Sequence, residues 1–211
     1  MRGYAAGKAR RLRPGGGAAV AAGRSAKLGG MTTKPSLAQA IDARCRLAGE
    51  FTLRSGQVAT EYFDKYLFEA DPQLLRRVAE AMLPLVPQDA NVLGGLELGG
   101  VPIATVLSQL ADRPTVFVRK KAKEYGTCKL AEGGSVEGKY VVLVEDVLTT
   151  GGAVLAATDA LRQLGARVDL VLCAIDRRPP AALGLADAGI EVRSVLTRAD
   201  LDAVRVPSKG Q

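Results

Sequence analysis

One stretch limits this chain more than any other: Val141-Val142-Leu143-Val144-Glu145-Asp146-Val147-Leu148-Thr149-Thr150-Gly151-Gly152-Ala153. Val141 to Val144 reads as a buried strand that ends in two adjacent acids, and a helical pattern opens after the glycines. Open α/β sheets bind ligands at the carboxyl ends of their strands, where these acids are expected. The Thr-Thr-Gly-Gly turn can aim several backbone N–H groups at one phosphate, helped by the N-terminus of the next helix. Glu145 and Asp146 are poor phosphate ligands but good acceptors for ribose hydroxyls. A sugar carrying a phosphate suits both halves. The stretch has neither the Gly-Lys-Ser/Thr ending of a P-loop nor the Gly-x-Gly-x-x-Gly of a dinucleotide fold. The bland alternative is a βα turn that begins with a helix-capping threonine.

Composition narrows the class. A chain of 211 residues makes one domain with, at most, a small appendage, and 47% hydrophobic content without a long apolar run excludes a membrane-spanning helix. The formal charge of +7 invites a nucleic-acid partner. Its location argues against one. Residues 1–30 hold seven bases and no acid, which leaves 22 bases against 22 acids in the rest. The basic surplus therefore describes a tail and not a nucleic-acid surface.

That tail, 1–30, is rich in Gly and Ala and lacks periodicity, so it reads as disordered, with 31–211 as the folded domain. It has no apolar core of a secretory signal. Its Arg-rich, acid-free character fits a transit peptide; the other reading is extra translated sequence ahead of Met31. Cys45, Cys128 and Cys173 are odd in number and follow no metal-ligand spacing, which points to reduced thiols in the cytoplasm. The absence of histidine excludes a His-based triad, His zinc ligands and an imidazole base.

The rest alternates helix and strand. Ser36 is expected to cap a helix that carries Leu37, Ala40, Ile41, Arg44 and Ala48 and stops at Gly49. The aromatic run from Phe51 to Phe68 reads as short extended pieces of a small flanking lobe, and Asp71-Pro72 opens a helix that ends near Pro84. Strands are expected from Val92, over Thr115 to Val118, over 140–144, Val168 to Ile175 and Val192 to Leu196. Helices are expected over Val101 to Leu110 and with Val154, Ala157, Leu161 and Leu164 on one face, closed by Gly165. Strands separated by helices imply an α/β fold with a central parallel sheet covered on both faces.

Three further segments carry chemistry. Leu93 to Ala104 is strand, glycine turn and helix, suited to close approach of an anion or to a plain tight turn. Arg119-Lys120-Lys121-Ala122-Lys123 puts four cations in five positions ahead of a Gly-rich segment, 126–138. Such a loop suits a lid over a polyanion, or else a solvated charge run. Asp176-Arg177 ends a strand at the same edge, where Arg177 offers a planar fork to a carboxylate or forms a surface ion pair.

In this order, and with Glu50-Phe51-Thr52-Leu53-Arg54-Ser55-Gly56 ahead of them, these segments resemble the orotate phosphoribosyltransferases, over roughly Gly49 to Asp200. The resemblance implies the type I phosphoribosyltransferase fold: a parallel sheet flanked by helices, a small N-terminal hood and a mobile lid loop. It implies transfer of the phosphoribosyl group of phosphoribosyl pyrophosphate to orotate, with Mg²⁺, giving orotidine 5′-monophosphate and pyrophosphate. No protein metal ligands are called for, since Mg²⁺ travels on the substrate.

By the same resemblance, Glu145, Asp146, Val147, Leu148, Thr149, Thr150, Gly151, Gly152 and Ala153 hold the ribose and its phosphate. Leu98, Gly99, Arg54, Arg119, Lys120, Lys123 and Tyr125 complete the phosphoribosyl pyrophosphate site. Tyr62, Phe63, Thr149 and Arg177 meet orotate, and Lys123, Glu145 and Asp146 carry the catalytic role. The implied assembly is a homodimer whose lid residues cross the interface, without nucleic acid or membrane as partner.

The sequence departs from the family at Lys121 in place of Glu, Tyr125 in place of His, Arg54 in place of Lys, and Glu97-Leu98-Gly99-Gly100 where many relatives put an aromatic and a lysine. These changes touch rate and base choice and leave the reaction class intact. A transferase for another base, or a regulator that senses phosphoribosyl pyrophosphate, would share the 141–153 motif. The first would lack the Arg-Lys-x-Ala-Lys signature, and the second would show a basic face or a helix-turn-helix.

Overall fold

The structure is a computed structural model that describes residues 35–53, 55–120, 130–179 and 184–205. The 1–30 tail, Arg54, Lys121, Lys123, Tyr125 and Cys128 lie outside the described residues.

Helix α1 (Leu37–Cys45) opens with a capping box: Gln39 N–H donates to Ser36 Oγ, and Ser36 N–H donates to Gln39 Oε1. It does not run on to Gly49. Strand β1 (Arg46–Thr52) begins at once and pairs antiparallel with β2 (Val58–Phe63). Arg46 makes the switch profitable for the chain, because its guanidinium reaches back to Asp42 and across to Glu61. Gly49 sits instead in the register shift between Ala48 and Phe51. This hairpin is the expected lobe, but its aromatic run ends in a helix. In α2 (Tyr66–Glu69), Phe68 is fully buried in the main core. Helix α3 (Pro72–Met82) starts as expected, with Asp71 accepting from Gln73 and Leu74 N–H and Pro72 in the first turn.

The main sheet contains β3 (Val92–Leu96), β4 (Thr115–Val118), β5 (Ala131–Glu132), β6 (Val141–Leu148), β7 (Leu170–Asp176) and β8 (Glu191–Thr197). Their order is β5-β4-β3-β6-β7-β8. All neighbours are parallel except β5, which runs antiparallel to β4. So the described part of the supposed lid, 130–138, is an anchored sheet edge, with Val136 buried. Helices α4 (Gly100–Ala111), α5 (Gly152–Gln163), α6 (Gly184–Asp187) and α7 (Arg198–Val204) complete the fold.

Strand alternation divides the core in two. Val142 and Val144 pack with Ile41, Met82, Ile103 and Leu201 on one face; Val141 and Leu143 pack with Val154, Leu161 and Leu185 on the other. Leu164, expected on the buried side of α5, is 48% exposed, because the helix has ended at Gln163. From β3 the chain moves outward to β4, and from β6 it moves the other way to β7 and β8. The crevice between the ends of β3 and β6 is thus the topological switch point, the place where open α/β sheets take ligands.

Candidate active site

Strand β6 does not stop at the acids. Its parallel pairing continues through Glu145↔Cys173 and Val147↔Ile175 to Leu148↔Asp176. Glu145 and Asp146 are therefore strand residues, and Asp146 is completely buried. It is not unpaired there. Lys65, at the start of α2, forms an ion pair with Asp146 Oδ2, and the Val147 N–H donates to Asp146 Oδ1. Gly99 packs directly on this carboxylate, so that a methyl group on Gly99 would overlap Asp146 Oδ2 and lie 2.8 Å from Glu69 Oε1. Across the switch point, the turn after β3 thus touches the acid at the end of β6. The Glu97–Leu98 peptide in that turn is cis, and the Leu98 side chain is exposed.

Three carboxyl groups share this pocket. Burial, and then the neighbouring Asp146, pushes Glu145 up to about 9 and Glu69 up to about 8. Burial would also raise Asp146, but hydrogen bonding from Glu69 and the Lys65 ammonium outweigh it and hold Asp146 below the ordinary carboxylate range. Lys65 is raised, because Asp146 overrides the effect of its own burial. One acid is thus charged near neutrality, and one ammonium matches it. Lys65 and Glu69 were not legible as site residues. They lie four apart in and just after an aromatic segment that carries no motif of its own.

The loop from Thr149 to Gly151 leads into α5, whose N-cap is Gly151 in the left-handed region at φ 81°. Among the described residues no side-chain hydrogen bond caps this helix at Gly151. The first intrahelical bond is Leu155 N–H to the Gly151 carbonyl, and Gly152 N–H has only a long contact of 3.5 Å to Thr150 Oγ. Amides at the start of α5 are therefore free to meet an anion. A cleft of about 70 Å³ lies between Glu145 and this loop, lined by residues 147–154. Leu148 contributes backbone and not side chain: it is buried, and its carbonyl accepts from Arg177 N–H at 2.8 Å.

That bond brings Arg177 beside Thr149. The Arg177 guanidinium lies 5.4 Å from the centre of the Phe63 ring and, among the described residues, has no hydrogen bond or ion pair. Burial, then Arg198 and Arg46, lowers its pKa. The carboxylate Asp176 is taken by Arg178 instead, at 2.8 Å. Tyr62 does not join Phe63. Its ring packs on Phe51, with centroids 5.5 Å apart.

Arg119 and Lys120 line a different pocket from Glu145. They line a cavity of about 320 Å³ against α5 that shares only Ala153 with the phosphate-loop cleft. Lys120 N–H donates to Glu97 Oε2 at 2.9 Å, and Glu97 N–H donates to the Val118 carbonyl, which clips the glycine turn to the end of β4. Among the described residues no group of three acidic, cysteine or histidine side chains has the geometry of a metal site.

This geometry matches known proteins. Residues 68–184 fit the model of the phosphoribosyl transferase domain. An orotate phosphoribosyltransferase of Nocardioides sp. is 67% identical over 83% of this chain and 98% of its own length. The chain belongs to the orotate phosphoribosyltransferase family. Among solved members, the Mycobacterium tuberculosis H37Rv orotate phosphoribosyltransferase in complex with inorganic phosphate has a TM-score of 0.69 at 33% identity, over 79% of this chain and 96% of that one. The same enzyme in complex with 5-phospho-α-D-ribosyl 1-diphosphate gives 0.66 at 32% identity, over 79% and 96%. Family membership fits the parallel sheet and the switch-point crevice, and no described helix is long and apolar enough to cross a membrane.

Proposed function

We propose that this chain transfers the phosphoribosyl group of phosphoribosyl pyrophosphate to orotate, releasing pyrophosphate and orotidine 5′-monophosphate. The observation that carries this reading is the cleft between Glu145 and the uncapped N-terminus of α5, with the buried Asp146 next in the strand and Arg177, free of hydrogen bonds and ion pairs among the described residues, beside Thr149. Glu145 and Asp146 accept from the ribose hydroxyls, and the amides from Thr150 to Ala153 receive the 5′-phosphate. Orotate sits by Phe63 and Thr149, its carboxylate on the Arg177 fork. Bond breaking at C1 builds positive charge on the sugar and negative charge on the leaving group, so catalysis is charge stabilisation and positioning. The ionised Asp146 carboxylate serves the first. The Leu98-Gly99 backbone and the cations Arg54, Arg119, Lys120 and Lys123, with Tyr125, serve the second.

Mg²⁺ would ride on the substrate's own oxygens, and the buried Glu145 Oε2, without a hydrogen-bond partner among the described residues, would be left to meet a sugar hydroxyl. When bound, it neutralises pyrophosphate. The position of Arg119 and Lys120 in a different pocket from Glu145 supports a homodimer in which the lid of one chain serves the other's site. Buried, free thiols at Cys45 and Cys173 agree with a cytoplasmic setting. A spectrophotometric assay of base consumption with phosphoribosyl pyrophosphate and Mg²⁺ tests the proposal. Orotate is expected to be consumed, and adenine, hypoxanthine and uracil are not; consumption of another base in its place would reassign the substrate.

A further inference from the structure

The acids that face the ribose are held from behind by a helix of a single turn. Helix α2 has no independent stability at four residues. It is fixed by Phe68, whose ring is wholly buried in the main core. With Phe68 pinned, Lys65 and Glu69, four apart, are both turned toward the end of β6. Lys65 pairs with Asp146, and Glu69, only 8% exposed, brings its Oε1 to the same face of Gly99 as the Asp146 carboxylate. Among the described residues, Glu69 Oε1 is buried with no hydrogen-bond partner, and Asp146 Oδ2 near it has only the Lys65 ion pair. Two ionised carboxylates in that relation, with Glu145 adjacent, would leave buried negative charge that one ammonium cannot balance. A proton held between Glu69 and Asp146 removes the conflict and supplies the missing hydrogen bond.

We propose that Lys65 and Glu69 are positioning residues for Asp146. Lys65 provides its counter-charge, and Glu69, sharing a proton with it, fixes the orientation of the carboxylate toward the ribose. The role rests on the reading of Asp146 as the ribose acceptor. The groups facing Glu69 are Lys65 and Asp64 from its own turn, Asp146 and Glu145 from β6, and the Cys45 thiol from α1. Burial pushes that thiol up to about 12, so it stays neutral while Glu69 titrates near 8. Above that pH the shared proton is lost, Glu69 and Asp146 repel, and Lys65 is drawn between two anions. Affinity for phosphoribosyl pyrophosphate then falls.

The experiment is a profile of kcat/KM for phosphoribosyl pyrophosphate from pH 6 to 10 at saturating orotate, for the full chain and for Glu69→Gln, Glu69→Ala and Lys65→Met. Glu69→Ala is expected to lose roughly tenfold or more, mostly in KM, the scale of a hydrogen bond to a charged group. Glu69→Gln keeps a donor that does not titrate. It should recover most of that loss, and its alkaline limb should move up by about one pH unit or disappear. Lys65→Met removes the cation that holds Asp146 ionised, so its acid limb should move up. An alkaline limb in Glu69→Gln identical to that of the wild type, or equal losses in Glu69→Gln and Glu69→Ala, would overturn the proposal. If Glu69→Ala does not fold, the Gln profile alone decides. A wild type inactive with orotate would instead overturn the proposed function, so the two failures are distinct.

Discussion

At the residue scale, Arg177 is the most informative side chain of the proposed base site. A guanidinium that is half-buried, set over an aromatic ring and without an acceptor among the described residues is unusual, because partly desolvated cations normally find one. Its nearest charged company, Arg198 and Arg46, is like-charged and makes the vacancy more costly. An incoming carboxylate would relieve it. Arg177→Lys keeps the charge but removes the fork, and is expected to raise KM for orotate roughly tenfold or more, with little change in phosphoribosyl pyrophosphate affinity. Thermal stability should hold or rise slightly, since no native bond is lost. Steady-state kinetics with each substrate varied in turn, beside a melting curve, checks both halves. The sequence marked Arg177 by its position at a strand end. It could not mark Lys65 or Glu69, because burial of a charged residue depends on what covers it, and here that is Gly99 from the far side of the crevice.

The elements show where a linear pattern suffices and where pairing decides. Thr115 to Val118 was legible to the residue, because an apolar run bounded by Pro114 and the basic cluster leaves the strand no room to grow. Strand β6 was read four residues short. Its hydrophobic signal ends at Val144, but the ladder to β7 keeps its hydrogen bonds through Leu148 regardless of side-chain polarity. Helix α1 was read too long for the converse reason, since the Arg46↔Phe63 pairing takes residues whose helical spacing looks continuous. The close fit of α4 on β6 gives a test at this scale. A methyl group on Gly100 would collide with the Val144 carbonyl oxygen, whereas one on Gly152 meets nothing nearer than 3.8 Å. Gly100→Ala is therefore expected to cost about 1–3 kcal/mol and several degrees in Tm, and Gly152→Ala to leave Tm nearly unchanged. Equal Tm values for the two variants would show that α4 does not sit against β6 as described.

For the whole molecule, the parallel sheet decides the place of the chemistry before any side chain does. Reversal of strand order between β3 and β6 opens one crevice, where the glycine turn meets Asp146, while Glu145 and the uncapped start of α5 line a cleft beside it. Much of this was legible, because the acids and glycines follow apolar strands in sequence. The contact between Gly99 and Asp146 was not, since residues 47 apart in the chain meet only once the sheet has formed. The basic tail should stand outside this design. Deleting residues 1–30 is expected to leave Tm and orotate transfer unchanged at moderate salt, because the segment has little apolar surface to offset the entropy of ordering. Any gain in rate from its seven cations should appear only at low ionic strength and vanish with added salt. The central claim is that Asp146, buried at the switch point, holds the ribose of phosphoribosyl pyrophosphate. Calorimetric titration of that ligand with Mg²⁺ into the wild-type protein and Asp146→Asn tests it most directly. The account predicts that the folded variant binds roughly ten- to a hundredfold more weakly, as expected for lost hydrogen bonds to a charged acceptor. Equal affinity in the two proteins would contradict it.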